Sequence, residues 1–185
     1  AEANFDGCFV WGDFSTDSPV RCNLANRFVV RSVGGIYMLT SGNQESNYAG
    51  TFIAPGAQAW TATSDRNSKE RLQPIDAEDV LRKVVQLPIA TWNWKSQDPA
   101  IRHMGPMAQD FSAAFQLGET PKGISTIDAD GVALAAIQGL HARLAVQDAR
   151  LAERDARLAE QTRLLASLTA RLVALERRGS TSASR

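Results

Sequence analysis

The residues of this chain best suited to chemistry are Ser64 and Lys69, five apart in the run Ser64-Asp65-Arg66-Asn67-Ser68-Lys69. A serine hydroxyl is a poor nucleophile until a base takes its proton, and a desolvated lysine can supply that base. The chain holds four lysines, at 69, 83, 95 and 122, against sixteen arginines, so Lys69 is the only lysine near the serine in sequence. The pair stands at a change of composition, and a nucleophile with its own base at such a boundary raises the question of self-cleavage. Taken alone, Ser64-Asp65 also reads as ordinary turn chemistry and Lys69 as a solvated charge.

The flanking regions must hold any such pair. Residues 1 to about 62 carry short β-type runs at Cys8–Trp11, Phe28–Val30, Ile36–Leu39 and Thr51–Ala54, separated by Asp17-Ser18-Pro19, Gly34-Gly35 and similar punctuation. That pattern predicts an all-β segment with tight turns. Sixty residues are few for an independent β core, so the apolar faces are expected to need partner chains. Cys8 and Cys22 either pair, as in an extracellular protein, or remain buried thiols.

Residues 64 to about 128 predict a small α+β unit. Asp76 is a good N-cap with Asp79 in the first turn, and Pro88 ends that helix. Ile89 to Lys95 alternates like a half-buried strand, with Trp92 and Trp94 on one face. A helix is expected to begin near Pro106, placing Met107, Phe111 and Phe115 on one apolar face. Ile124 to Ile127 reads as a short strand, and Asp128 or Asp130 as the cap of the last helix.

That last helix has the clearest pattern. Ile137, Leu144, Leu151, Leu158, Leu165 and Leu172 recur every seven residues, and Leu140, Gln147, Arg154, Gln161, Leu168 and Leu175 follow three later. These are the a and d positions of a coiled coil. Arg143 and Arg150 at g match Asp148 and Asp155 at the e positions of a neighbour, which favours parallel alignment. Each exposed pair contributes roughly 0.5 kcal/mol or less. The polar d residues Gln147, Arg154 and Gln161 either fix register and oligomer number or mark a loosely packed stretch. The heptads alone leave dimer and trimer open.

Composition narrows the function classes. The charges balance to zero, so no global field recruits nucleic acid or anionic membrane. No basic block precedes the heptads, as a basic-zipper DNA binder would require. No apolar run approaches membrane-spanning length, and no Cys/His cluster has metal-ligand spacing, so no membrane insertion, metal or cofactor is expected. The chain opens at Ala1 without a signal-like run, as expected of a processed chain or a piece of something longer.

Three motifs in order carry a resemblance over roughly residues 62 to 145. Ser64-Asp65-Arg66-Asn67-Ser68-Lys69-Glu70 with Leu72-Gln73-Pro74-Ile75 is the first. Trp92-Asn93-Trp94-Lys95 and His103-Met104-Gly105-Pro106-Met107-Ala108-Gln109 follow, and Asp128 through Leu140 leads into the coil. Together they resemble the peptidase S74 family, the intramolecular chaperone domains at the C-termini of phage endosialidases and tail spikes, with relatives among the myelin regulatory factors. The upstream β segment resembles the end of a trimeric fibre or β-helical stalk.

The resemblance implies an α+β fold with a C-terminal parallel coiled coil. Its parts would be a β-rich trimeric stalk end (1–63), a chaperone unit (64–136), the coil (137–178) and a disordered tail (179–185). It implies a homotrimer that brings stalk strands into register and then removes itself. Ser64 would be the nucleophile, Lys69 the general base and Thr63–Ser64 the scissile bond. His103 would orient the loop or stabilise developing charge, and Asp65 and Asn67 would hold the turn or donate to the oxyanion. It also implies a phage tail fibre or spike, or a prophage-encoded surface protein, assembled in the host cytoplasm, whose receptor the sequence does not identify. A non-cleaving trimerisation and capping module of a surface adhesin is the alternative.

Overall fold

Short runs of aromatic and β-branched residues, broken by glycine, proline and aspartate, build two small sheets in the first part of the chain. The structure, a computed structural model, describes residues 1–43 and 46–182, and divides into two units, Ala1–Gln73 and Pro74–Arg185.

In the first unit, β1 (Phe9–Gly12) and β2 (Phe28–Arg31) pair from Phe9↔Phe28 to Gly12↔Arg31, and they run parallel. Tight turns cannot join parallel strands, which need a crossover, so the tight turns expected from the sequence do not connect this pair. The stretch between the two strands carries no helix or strand and is held by other means. Cys8 and Cys22 form a disulfide, which settles the pairing left open by the sequence. The Asp13 carboxylate accepts from the Ser15 hydroxyl at 2.6 Å, the Val33 amide at 2.6 Å and Arg31 Nε at 3.1 Å. Those donors, the Ser15 hydroxyl foremost and the Val33 amide next, lower Asp13 from the usual 3.8 to about 2.

The second sheet has the order β3 (Ile36–Asn43), β4 (Ser46–Ile53), β5 (Thr61–Ala62), all antiparallel. Little of this unit is buried: Phe9, Trp11, Phe28 and Trp60 are each about half exposed or more. Such open apolar faces accord with a segment too small for its own core.

In the second unit, α1 (Ala77–Gln86) is capped as expected, with the Asp76 carboxylate accepting from the amides of Glu78 and Asp79. The strand expected over Ile89–Lys95 is shorter, β6 (Ala90–Trp92), paired antiparallel with β7 (His103–Gly105). Next, α2 (Ala108–Phe115) begins just after Pro106, with Phe111 buried and its ring tilted against that of Phe115 at 4.9 Å. Met107 precedes the helix as its N-cap and is 41% exposed.

The strand expected at Ile124–Ile127 is absent, because α3 (Thr126–Ser182) already runs there. Ser125 is the cap in place of Asp128 or Asp130: its hydroxyl accepts from the Ile127 amide and its carbonyl from the Ala129 amide. The β-branched residues Ile124, Thr126 and Ile127 suggested a strand, but a capping serine outweighs so short a run. The helix continues to Ser182, four residues into the expected disordered tail, and residues 183–185 of that tail lie outside the described residues.

On α3, Val132, Ala135, Ala136 and Gly139 form a buried stripe at helical spacing. Gly139 sits where α1 comes closest, because a Cβ there would collide with the Ala77 carbonyl and crowd Leu81 Cβ at 3.1 Å. The heptad positions point about a third of a turn away from this stripe. All nine apolar a and d residues, from Ile137 to Leu175, are 47–65% exposed in the single chain.

Candidate active site

The last strand of the first unit ends at Ala62, and the chain then reverses in one turn. Thr63 still continues the ladder, its amide donating to the Gly50 carbonyl at 3.2 Å and its hydroxyl to the same oxygen at 3.4 Å. Asp65 follows in extended conformation and caps a 3-10 turn over Arg66–Ser68 by accepting from the Asn67 amide at 2.9 Å. The Ser68 amide donates to the Asp65 carbonyl and the Lys69 amide to that of Arg66.

This turn brings the pair together. Five residues of extended chain span roughly 16 Å, yet Lys69 Nζ donates to Ser64 Oγ at 2.6 Å. In that bond the ammonium is the donor. Loss of one proton from the lysine would let the same contact reverse, with the serine hydroxyl donating to the amine. Both side chains are exposed in the single chain, whereas Thr63 is half-buried. Asp65 and Asn67 serve the turn through a carboxylate and a backbone amide.

His103 lies on β7 in the second unit, opposite Trp92. Its ring sits 4.8 Å from that of Trp92, which meets Trp94 edge-on at 4.9 Å. His103 Nε2 lies 2.8 Å from Gln97 Oε1, and the Gln97 amide donates to the Trp94 carbonyl. The neighbouring Arg102 guanidinium donates to the carbonyl and hydroxyl of Thr91. His103 is thus fixed by tilted ring contact with Trp92 and by a side-chain contact from the loop that joins β6 to β7.

Two residues in contact with the candidate site residues escaped the sequence reading. Gln97 lies in a polar loop with no mark of its contact to His103. Gly50 is one glycine among thirteen, and its carbonyl becomes notable only through a non-local pairing. Among the described residues no group of three or more His, Cys, Asp or Glu side chains could hold a metal ion, and no helix is long and apolar enough to cross a membrane.

From the serine–lysine turn through α2 the chain makes a small α+β segment that opens on a serine in contact with a lysine. That segment, residues 64–117, matches the peptidase S74 family model, chaperone of endosialidase. The match is to that segment of the chain, and the family is one associated with self-cleaving peptidases. The match begins at Ser64 itself and takes in Lys69 and His103. No curated protein matches the chain.

Proposed function

We propose that this chain is the trimerising intramolecular chaperone at the end of a phage or prophage tail fibre or spike, and that it frees itself by one cut between Thr63 and Ser64. The observation that carries the reading is the 2.6 Å contact between Lys69 Nζ and Ser64 Oγ, at the residue where the family match begins.

In the proposed reaction neutral Lys69 takes the Ser64 hydroxyl proton as Oγ bonds to the Thr63 carbonyl carbon. The carbon–nitrogen bond breaks, and the lysine returns the proton to the departing Ser64 nitrogen. The product is an ester between Thr63 and Ser64 Oγ with a free Ser64 amine. Water then hydrolyses the ester, leaving a Thr63 carboxylate and restoring the hydroxyl. The chemistry is intramolecular and happens once per chain.

A lysine acts as a base only when neutral, and burial favours that form. With Ser64 and Lys69 exposed in one chain, assembly is the step that would cover them, so cutting would follow trimer formation. The exposed heptad seam of α3 supplies the assembly surface. Arg143 and Arg150 face Asp148 and Asp155 of a parallel neighbour, and apolar a and d residues leave water as the helices associate. The open aromatic faces of the first unit support the same arrangement for the stalk end. His103 would then orient the loop or stabilise developing charge.

Denaturing electrophoresis of the expressed full-length chain tests the reading. Two fragments, residues 1–63 and 64–185, are expected from wild type, and one uncut band from Ser64→Ala and from Lys69→Ala. Wild type that stays whole under trimer-forming conditions would overturn self-cleavage and leave a trimerising cap that remains attached.

A further inference from the structure

The bond proposed to break follows directly on the last contact of a sheet, and that contact has an unusual construction. Thr63 directs two donors, its amide and its hydroxyl, at one oxygen, the carbonyl of Gly50. Gly50 lies at an irregularity in the β3–β4 ladder, where pairing steps from Leu39↔Gly50 to Ser41↔Ala49. Thr40 is the extra residue on its strand, as in a bulge. Bulges bend a strand and re-aim the groups beside them. Two side-chain contacts pin this one: the Thr40 hydroxyl donates to the Ala49 carbonyl at 3.3 Å, and the Ala49 amide to Ser41 Oγ at 3.2 Å.

The bulge requires glycine at its centre. Gly50 has φ +153°, and a Cβ there would collide with the Met38 carbonyl and lie 3.0 Å from Leu39 Cα. Both are backbone atoms, which cannot step aside as a flexible side chain would. A backbone form open only to glycine therefore turns one carbonyl toward both donors of the residue whose own carbonyl Ser64 would attack. Thr63 is half-buried while Ala62 and Ser64 on either side of it are exposed.

We infer that Gly50 and the Thr63 hydroxyl are positioning residues that hold the Thr63 carbonyl for attack, so that the cut waits until β5 has seated on β4. The inference rests on the proposed self-cleavage. Attack by a serine on the carbonyl just before it closes a five-membered ring of Oγ, Cβ, Cα, N and the carbonyl carbon. That closure demands fixed torsions on both sides of the peptide bond. The 3-10 turn and Lys69 fix the Ser64 side, and the ladder to Gly50 fixes the Thr63 side. Before β5 pairs, the acyl half of the bond has no such restraint.

The test compares cleavage rates of the full chain carrying Thr63→Ser, Thr63→Val or Gly50→Ala. Thr63→Ser keeps the hydroxyl and is expected to cut within about twofold of wild type. Thr63→Val keeps the β-branched shape without the donor and is expected to be roughly three- to tenfold slower, the effect of one net hydrogen bond. Its oligomer mass and thermal midpoint should stay at wild-type values, which separates positioning from folding. Gly50→Ala should be slower still, and if it fails to fold, Thr63→Val decides. A wild type that cuts beside an equally fast Thr63→Val overturns this inference alone. A wild type that never cuts overturns the cleavage reading and this inference with it.

Discussion

Alanine at two glycines of α3 should have unequal effects on stability. Gly131 has nothing within 4 Å of where a Cβ would stand, whereas at Gly139 that atom would collide with the Ala77 carbonyl of α1 and come 2.8 Å from the Ala77 carbonyl carbon. Inside a helix alanine is favoured over glycine by about 1 kcal/mol, and both substitutions gain this equally. Gly131→Ala should therefore stabilise the chain by about 1 kcal/mol. Gly139→Ala adds a methyl to a closed helix crossing, where overpacking costs about 1–3 kcal/mol. Because the propensity gain cancels, the difference between the two variants measures the crossing itself, about 1–3 kcal/mol. Urea unfolding of the full chain, followed by helical circular dichroism at one fixed protein concentration, reads both values. Equal stabilisation by the two alanines would refute the close packing of α1 on α3.

Two further outcomes are expected. The Asp13 carboxylate titrates near 2 in the folded chain, below its ordinary 3.8. Its stabilising effect is therefore complete above about 3.8 and is lost as pH falls toward 2. Asp13→Asn should be less stable than wild type at pH 5 and converge with it near pH 2 when unfolding is followed by tryptophan fluorescence, and parallel curves would show that the carboxylate network is idle. Truncation after Leu140 removes seven apolar a and d residues, each about half exposed in the single chain and each with on the order of 1 kcal/mol of burial still to gain. Sedimentation should then show weaker oligomers and electrophoresis slower cutting, and unchanged values of both would make the coil dispensable.

Local features were legible in the sequence because their causes are local. Asp76 caps α1 and Pro88 follows its end because capping and chain stiffness act over a few residues. Ser64 and Lys69 could be singled out because one short turn, capped by Asp65, spans the whole distance between them. The heptad seam of α3 was legible as a period of seven because its spacing lies within one continuous helix. The parallel pairing of Phe9 with Phe28 was not legible, since the short runs carry no register and either direction would bury the same faces. Ile124–Ile127 misled because β-branched residues favour strands, while the hydroxyl of Ser125 commits the same residues to a helix. The Gly50 carbonyl and the Gln97 contact to His103 arise from non-local geometry, for which a lone glycine or glutamine gives no signal.

Intact mass spectrometry of the assembled wild-type chain, beside Ser64→Ala, bears most directly on self-cleavage. Two masses are expected, one for residues 1–63 ending in a Thr63 carboxylate and one for residues 64–185 beginning with a free Ser64 amine, with a single full-length mass from Ser64→Ala. Wild type that keeps the full-length mass once oligomers have formed, or that cuts at any other bond, would contradict the account.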